Sequence, residues 1–318
     1  MSGGLRIDFK DGTLPMEITA GMQVPSWVAS TSDAYQGYSN VIPTPGRIPG
    51  SSVMIIPTTG VYGYRYNAFC YYNGFTDNGD SVTLNISATD GGDPSGTMVA
   101  LGIFQIAPIR YMPGLRISNS SDFTAITTAA SCMRLLSRQV ITFNGKWQIP
   151  AIDGVPPEKM IIAAHWDAEG VAVTRTLTDG VHMISAYEAR QAENYYPVTV
   201  TLELWIYGPG FPVAGNSGMA IWNGNNQCVF STQGRPFIVS RMWNKTTNTE
   251  YVPGLVVLDC PGFHRWESGS GVQYQKYGYV RTGRNLSIQP GEYIGAVYSR
   301  QFNSLISPAP TVILPPAY

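Results

Sequence analysis

The residues able to do chemistry in this chain are few and scattered. Its histidines are His165, His182 and His264. The run His165-Trp166-Asp167 offers at most two metal ligands, read as lying on opposite faces of a strand, and no HExxH accompanies it. Asp77-Asn78-Gly79-Asp80 and Asp90-Gly91-Gly92-Asp93 place carboxylates and glycines at close spacing. Such oxygens suit Ca²⁺, so Asp77/Asp80 and Asp90/Asp93 are weighed as calcium sites. Neither run closes with the Glu of a twelve-residue calcium loop, and Asp, Asn and Gly are ordinary turn residues, so turns are the expectation. Ser268-Gly269-Ser270-Gly271 superficially matches a nucleophile elbow but has no strand leading into a helix, and reads as a flexible loop. No phosphate-cradling glycine motif is present. The paired carboxylates of a glycosidase are set by spatial separation, and nothing in the sequence singles out an acid and a nucleophile. The expectation is therefore no catalytic residue, no cofactor and no metal.

Four cysteines, Cys70, Cys132, Cys228 and Cys260, lack CxxC pairing or metal-ligand spacing. They read as buried free thiols in a chain folded in a reducing cytosol. The aromatic residues say more. Tyr62, Tyr64 and Tyr66 alternate with Val61, Gly63 and Arg65, and Tyr71 and Tyr72 follow. Tyr274, Tyr277 and Tyr279 form a second set near Trp266. Tyrosine gives large contact area at low entropic cost, so these rows, with Trp205 and Tyr207, are the candidate docking surface.

The elements that carry these residues are strands. Of 318 residues only 13% are charged, against 34 Gly, 23 Pro and 19 Tyr. That composition fits many short strands joined by tight turns, and excludes a coiled coil or an ordinary basic nucleic-acid binder. The net charge of −1 gives no attraction to phosphate or to anionic membrane, and no apolar run is long enough to span a bilayer. The N-terminus lacks the basic start and apolar stretch of a signal peptide.

Internal similarity organises the chain. Gly4-Leu5-Arg6-Ile7 recurs as Gly114-Leu115-Arg116-Ile117 and, more loosely, as Gly218-Met219-Ala220-Ile221. An aliphatic triplet recurs as Met54-Ile55-Ile56, Met160-Ile161-Ile162 and Leu255-Val256-Val257. A late strand recurs at 98–107, 198–207 and 293–299. Three ordered landmarks predict tandem domains of roughly 105 residues, a usual domain size. They divide the chain into 1–113, 114–217 and 218–318, with net charges of −3, −2 and +4. Leu5, Ile7 and Phe9 alternate with polar residues, and Asp11-Gly12 then signals a hairpin. Pro15, lacking an N–H, points to an edge position. The third unit repeats this around Asn223-Gly224-Asn225-Asn226. In Val198 to Tyr207, Val200, Leu202, Leu204 and Ile206 share a core face, leaving Glu203, Trp205 and Tyr207 to present an outward aromatic surface. Helical signals are thin: 185–194 has room for two turns, and 129–136, which has helical propensity, is read as strand or loop. The expected fold is all-β, about three tandem antiparallel β-sandwich domains.

The opening Gly4 to Gly12, echoed at Gly218 to Phe230, resembles the β-domain proteins of tailed-bacteriophage tails, which begin with a short Gly-Leu-x-Ile strand and an Asp-Gly or Asn-Gly hairpin. The resemblance implies a non-enzymatic structural protein of the virion, at the tail tip or in a tail fibre. It further implies manufacture in the bacterial host's cytoplasm and contacts with other tail proteins. A homo-oligomer of three- or six-fold symmetry and a host-surface glycan or protein complete the implied partners. The alternatives are a carbohydrate-binding or polysaccharide-degrading surface protein, and a capsid or decoration protein.

Overall fold

The computed structural model describes residues 4–8, 15–31, 37–58, 61–65, 68–89, 100–108, 114–118, 123–127, 131–178, 180–216, 218–269, 271–296 and 303–315. In the first third lie β1 (Gly4–Ile7), β2 (Met16–Thr19), β3 (Ser26–Thr31), β4 (Ser39–Pro43), β5 (Ser52–Pro57), β6 (Val61–Arg65), β7 (Ala68–Asp77), β8 (Ser81–Ala88) and β9 (Leu101–Ile106). The middle third holds β10 (Gly114–Ser118), β11 (Phe123–Thr127), β12 (Arg134–Asn144), β13 (Lys146–Gln148), β14 (Ile161–His165), β15 (Val171–Thr178), β16 (Val181–Glu188) and β17 (Thr199–Gly208). The last third holds β18 (Ala220–Trp222), β19 (Cys228–Ser231), β20 (Arg241–Trp243), β21 (Glu250–Tyr251), β22 (Val256–Val257), β23 (Gly262–Ser268), β24 (Gly271–Thr282), β25 (Asn285–Ala296), β26 (Leu305–Ile306) and β27 (Thr311–Ile313). The chain is all-β, and its named strand pairs are antiparallel.

Each third begins with a two-stranded hairpin, β1–β2, β10–β11 and β18–β19. These are the Gly-Leu-x-Ile segments, whose alternation packs one partly buried row of side chains against the rest of the molecule. At β18–β19 the turn is visible in detail. The Asn223 side-chain oxygen accepts from the N–H groups of Asn225 and Gln227 at 3.0 and 2.9 Å, and Asn226 turns through φ 58°.

The strands that follow share one order in all three thirds. Three-strand groups run β3-β9-β5, β12-β17-β14 and β20-β27-β22. A second set runs β4-β8-β7-β6, β13-β16-β15 and β21-β25-β24-β23. The register repeats too: Ile55 faces Ile103, Ile162 faces Ile206, and Val256 faces Ile313. A bulge interrupts β3 just after Trp27, opposite Phe104, and interrupts β12 just after Leu135, opposite Tyr207.

Two corrections follow for the landmarks. By register the triplet of the middle third is Ile161-Ile162-Ala163, one residue later than the sequence pattern placed it. Met160, set level with Met54 in the sequence, packs in a different core. A one-residue slip exchanges the faces of a strand, so side-chain type alone misaligned it. The late strand of the last third is β27, not 293–299. Tyr293 belongs to β25 and pairs with Gln275, while 297–299 lie outside the described residues. The stretch 185–194 holds the end of β16 and a loop.

Burial explains how the sheets stack. Between the two sheets of the first third lie Ile55, Ile103, Leu84 and Val82. In the middle and last thirds the sheets join edge to edge. β14 pairs with β22 and β15 with β24, so Ile162, Leu204, Ile206, Val256 and Tyr279 fill one continuous core. Gly278 and Gly291 permit that junction, because a Cβ on either would stand 2.9 or 2.7 Å from the Cβ of Ala172. The opposite faces of the first sheets meet the three hairpins in a central core of Met54, Phe104, Ile161, Trp205, Tyr207, Val257 and Val312 with Met16, Ile126 and Phe230. Backbone pairings tie each third to the other two: Ser26 bridges to Cys132, Gln23 bonds to Val239, and Cys132 and Met133 bond to Val229 and Phe237. All four cysteines are free and buried.

Candidate functional site

Strand length singles out one face. β12 and β17 run 11 and 10 residues, whereas their counterparts β3 and β9 run six each and β20 and β27 three each. The middle sheet therefore extends past the central core. On its reverse side Val200, Leu202 and Leu204 stay buried, with Ile141 and Phe143 partly covered. Its front side is exposed and presents Arg138, Val140, Thr142 and Asn144 from β12 beside Thr199, Thr201 and Glu203 from β17. Cross-strand pairs organise it: Thr142 and Thr201 hydroxyls are 2.8 Å apart, and Asn144 Nδ2 donates to Thr199 at 3.1 Å. Arg138 forks onto Glu203 at 2.8 and 2.7 Å and lies 4.7 Å over the Trp205 ring, whose N–H also reaches Glu203 at 2.9 Å.

His165, the last residue of β14, borders this face at a shallow depression of about 390 Å³ that also involves Asp167, Thr201 and Glu203. The expectation that His165 and Asp167 point apart is corrected. Residues two apart in an extended chain share a side, and His165 Nε2 stands 3.9 Å from Asp167 Oδ1. Burial, helped by the charge of Arg281, lowers the His165 pKa below its ordinary value. A flat array of hydroxyls, amides and a closed ion pair can donate and accept hydrogen bonds. Among the described residues on this face, no nucleophile is hydrogen-bonded to a base.

The aromatic docking surface is largely core instead. Trp205, Tyr207, Tyr274 and Tyr279 are buried, as are Tyr72, Tyr277 and Trp266. Trp205 and Tyr207 do lie on the face opposite Leu204 and Ile206, but that face meets the hairpins. A sheet buried on both sides reads in sequence like one with an aromatic surface, which is why the rows misled. Tyr71 is half-buried, packed against the cluster of Phe69, Phe263 and Tyr274. Tyr62 and Tyr64 lie in β6, and Tyr66 lies outside the described residues.

Trp266 stacks on His264 at 5.7 Å and lies 6.3 Å from the Tyr293 ring. The loop after β16 lies over β23, β24 and β25. His264 Nε2 is 2.9 Å from Gln191 Oε1, Ala192 N–H donates to Gln275 at 3.1 Å, and Gln275 donates to Arg190 O at 2.9 Å. Tyr195 meets Tyr293 edge-on at 5.5 Å, leaving Tyr195 and Tyr196 exposed.

Buried charges are the features the sequence did not reveal. Glu292 receives Lys146 at 2.6 Å, Lys276 at 2.8 Å and the Ser185 hydroxyl at 3.2 Å, bridging middle and last thirds. Lys245 and Asp259 pair at 2.9 Å in full burial, and Asp259 also accepts from the Tyr279 hydroxyl. Arg175 is fully buried and donates to the carbonyls of Met160 and Pro157 at 2.8 and 2.7 Å. Burial depresses its pKa to about 9. No local spacing announces such pairs, since their partners lie far apart in sequence.

Of the calcium readings, Asp77 is engaged by Arg47, which approaches both carboxylate oxygens at 2.5 and 2.6 Å and holds its pKa down to about 2. Asp90 and Asp93 lie outside the described residues. Of the Ser268 to Gly271 stretch, Ser268 ends β23 and pairs with Gly271, the first residue of β24, its hydroxyl donating to Gly271 O at 3.2 Å, while Ser270 lies outside the described residues.

No curated protein and no solved structure matches the chain. One family does, over residues 4–299, described as a family of unknown function. That match takes in nearly the whole molecule, from the first hairpin to the end of β25, and the chain belongs to this family, DUF6453.

Proposed function

We propose that this protein is a non-enzymatic structural component of a tailed-bacteriophage virion, at the tail tip or in a fibre, whose work is to make assembly contacts. The observation that carries the reading is the threefold recurrence of one strand order around a shared core. Three units of about 105 residues, each opened by its own hairpin, are read here as tandem β-sandwiches fused into one block. Such a block resists deformation because each unit is buried against both others, which suits a part that must hold position between neighbouring chains. The resemblance of Gly4 to Gly12 to tail β-domain proteins supplies the virion setting. Burial of the tyrosine and tryptophan rows weighs against stacking on sugars as the chief activity, so attachment to a host surface is secondary in this reading.

Antibody raised against the purified chain and tagged with gold tests the proposal on intact particles of the phage that encodes it. Label at the tail is the expected result. Label on the head would move the protein to the capsid or decoration class, and unlabelled particles would sink the virion reading.

A further inference from the structure

An open strand edge must be defended or used, because its unpaired N–H and C=O groups template another strand. Most outer strands in this molecule are defended among the described residues. β20 has three residues, β13 three and β26 two. β3 carries a bulge and is bridged through Ser26 to Cys132. β4 and β5 each end in a proline, Pro43 and Pro57. β12 is different. It is the outer strand of the six-stranded sheet, and beyond its bulge the segment from Ser137 to Asn144 runs straight opposite β17 with no Pro, Gly or Lys. Its composition, with Val140, Ile141, Thr142 and Phe143 in succession, is that of a strand.

Three observations bear on what would cover it. Val140 is 69% exposed on the front of this strand, while Ile141 and Phe143 are only partly covered at the rim of the main core. Within the chain, corresponding strands of the middle and last thirds already join antiparallel, β14 to β22 and β15 to β24. Finally, the segment is complementary to itself. An antiparallel pairing centred on Ile141 sets Val140 opposite Thr142, Arg138 opposite Asn144 and Gln139 opposite Phe143. No charge then faces a like charge, and each Ile141 covers the other. From these we infer that β12 is a homodimerisation edge, at which a second copy of this chain adds its own β12 across a twofold axis. The pairing continues one sheet through two molecules and finishes the burial of Ile141 and Phe143. This interface goes beyond the virion reading and stands without it.

Light scattering of the purified full chain gives the test. At tens of micromolar the expected mass is twice 34.6 kDa. Val140→Lys, on an exposed side chain, should raise the dimer dissociation constant at least tenfold with an unchanged circular dichroism spectrum. The register is tested by pairing: V140K mixed with T142E should form a heterodimer, because each Lys meets a Glu across the axis. A monomeric wild type overturns the inference. So does an oligomer indifferent to V140K, or a failure of the two variants to associate.

Discussion

Phe69 lies face to face on Phe263, with ring centroids 4.0 Å apart and planes tilted by 17°, tying the first third of the chain to the last. Both rings are buried, and Tyr274 meets Phe69 edge-on at 5.4 Å. Phe263→Ala should therefore cost about 3–5 kcal/mol of stability, the range for truncating a buried ring. A Phe69/Phe263 double-mutant cycle should return a coupling of about 1 kcal/mol. Urea denaturation measures both, and additive losses would show that the rings do not support one another.

Glu292 holds two lysines from different thirds in a buried position. Glu292→Gln leaves Lys146 and Lys276 without their counter-charge and should cost about 3–5 kcal/mol. Lys146→Ala should cost much less, since that side chain is partly in solvent and Lys276 remains. The order of the two losses in thermal denaturation is the result to check.

His182 carries the clearest pH dependence. Burial first, and the charge of Arg175 second, lower its pKa from 6.5 to about 3. Between those values the unfolded chain binds the proton and the folded chain does not, so stability falls as pH drops below about 6.5. The slope approaches about 1.4 kcal/mol per pH unit, giving a loss of about 2 kcal/mol between pH 7 and pH 5. His165 and His264 are lowered in the same direction and add to it. Denaturation midpoints across this range should show the fall, and His182→Gln should flatten it.

Gly278 and Gly224 make a contrasting pair. An alanine Cβ at Gly278 would lie 2.8–2.9 Å from Thr174 Oγ1 and from the backbone and Cβ of Ala172, where β15 and β24 join. Gly278→Ala should cost about 1–3 kcal/mol by overpacking. Around Gly224 there is open space, so Gly224→Ala should change the melting temperature little. Differential scanning calorimetry separates them, and equal effects would contradict the close junction.

The extent to which the sequence foretold these features depended on distance along the chain. Local signals served well: Gly4 to Ile7 and Gly114 to Ile117 do open hairpins, Val198 to Tyr207 is a strand in all but its first residue, and Asn223 to Asn226 forms the expected turn. What period-2 alternation cannot say is whether the polar-looking side of a strand meets water or a second core. Trp205 and Tyr207 share a side with Glu203, and only the packing of three hairpins turns that side into an interior. The same limit hid the site. The exposed ladder of Thr142, Thr201, Asn144 and Thr199 arises because β12 and β17 outrun that interior, a matter of strand length relative to distant neighbours. The buried Glu292 cluster likewise joins residues from separate thirds, and no spacing rule connects Lys146 to Lys276.

The measurement that bears most directly on the proposed role, in which a phage encodes the chain, is quantitative mass spectrometry of that phage's particles, purified through a density gradient. A structural tail component must be present in fixed copy number, unchanged from one preparation to the next and retained after high-salt washing. That result is expected, with peptides from all three thirds at equal abundance. Loss of the protein from washed particles, or its presence only in the host lysate, would contradict it.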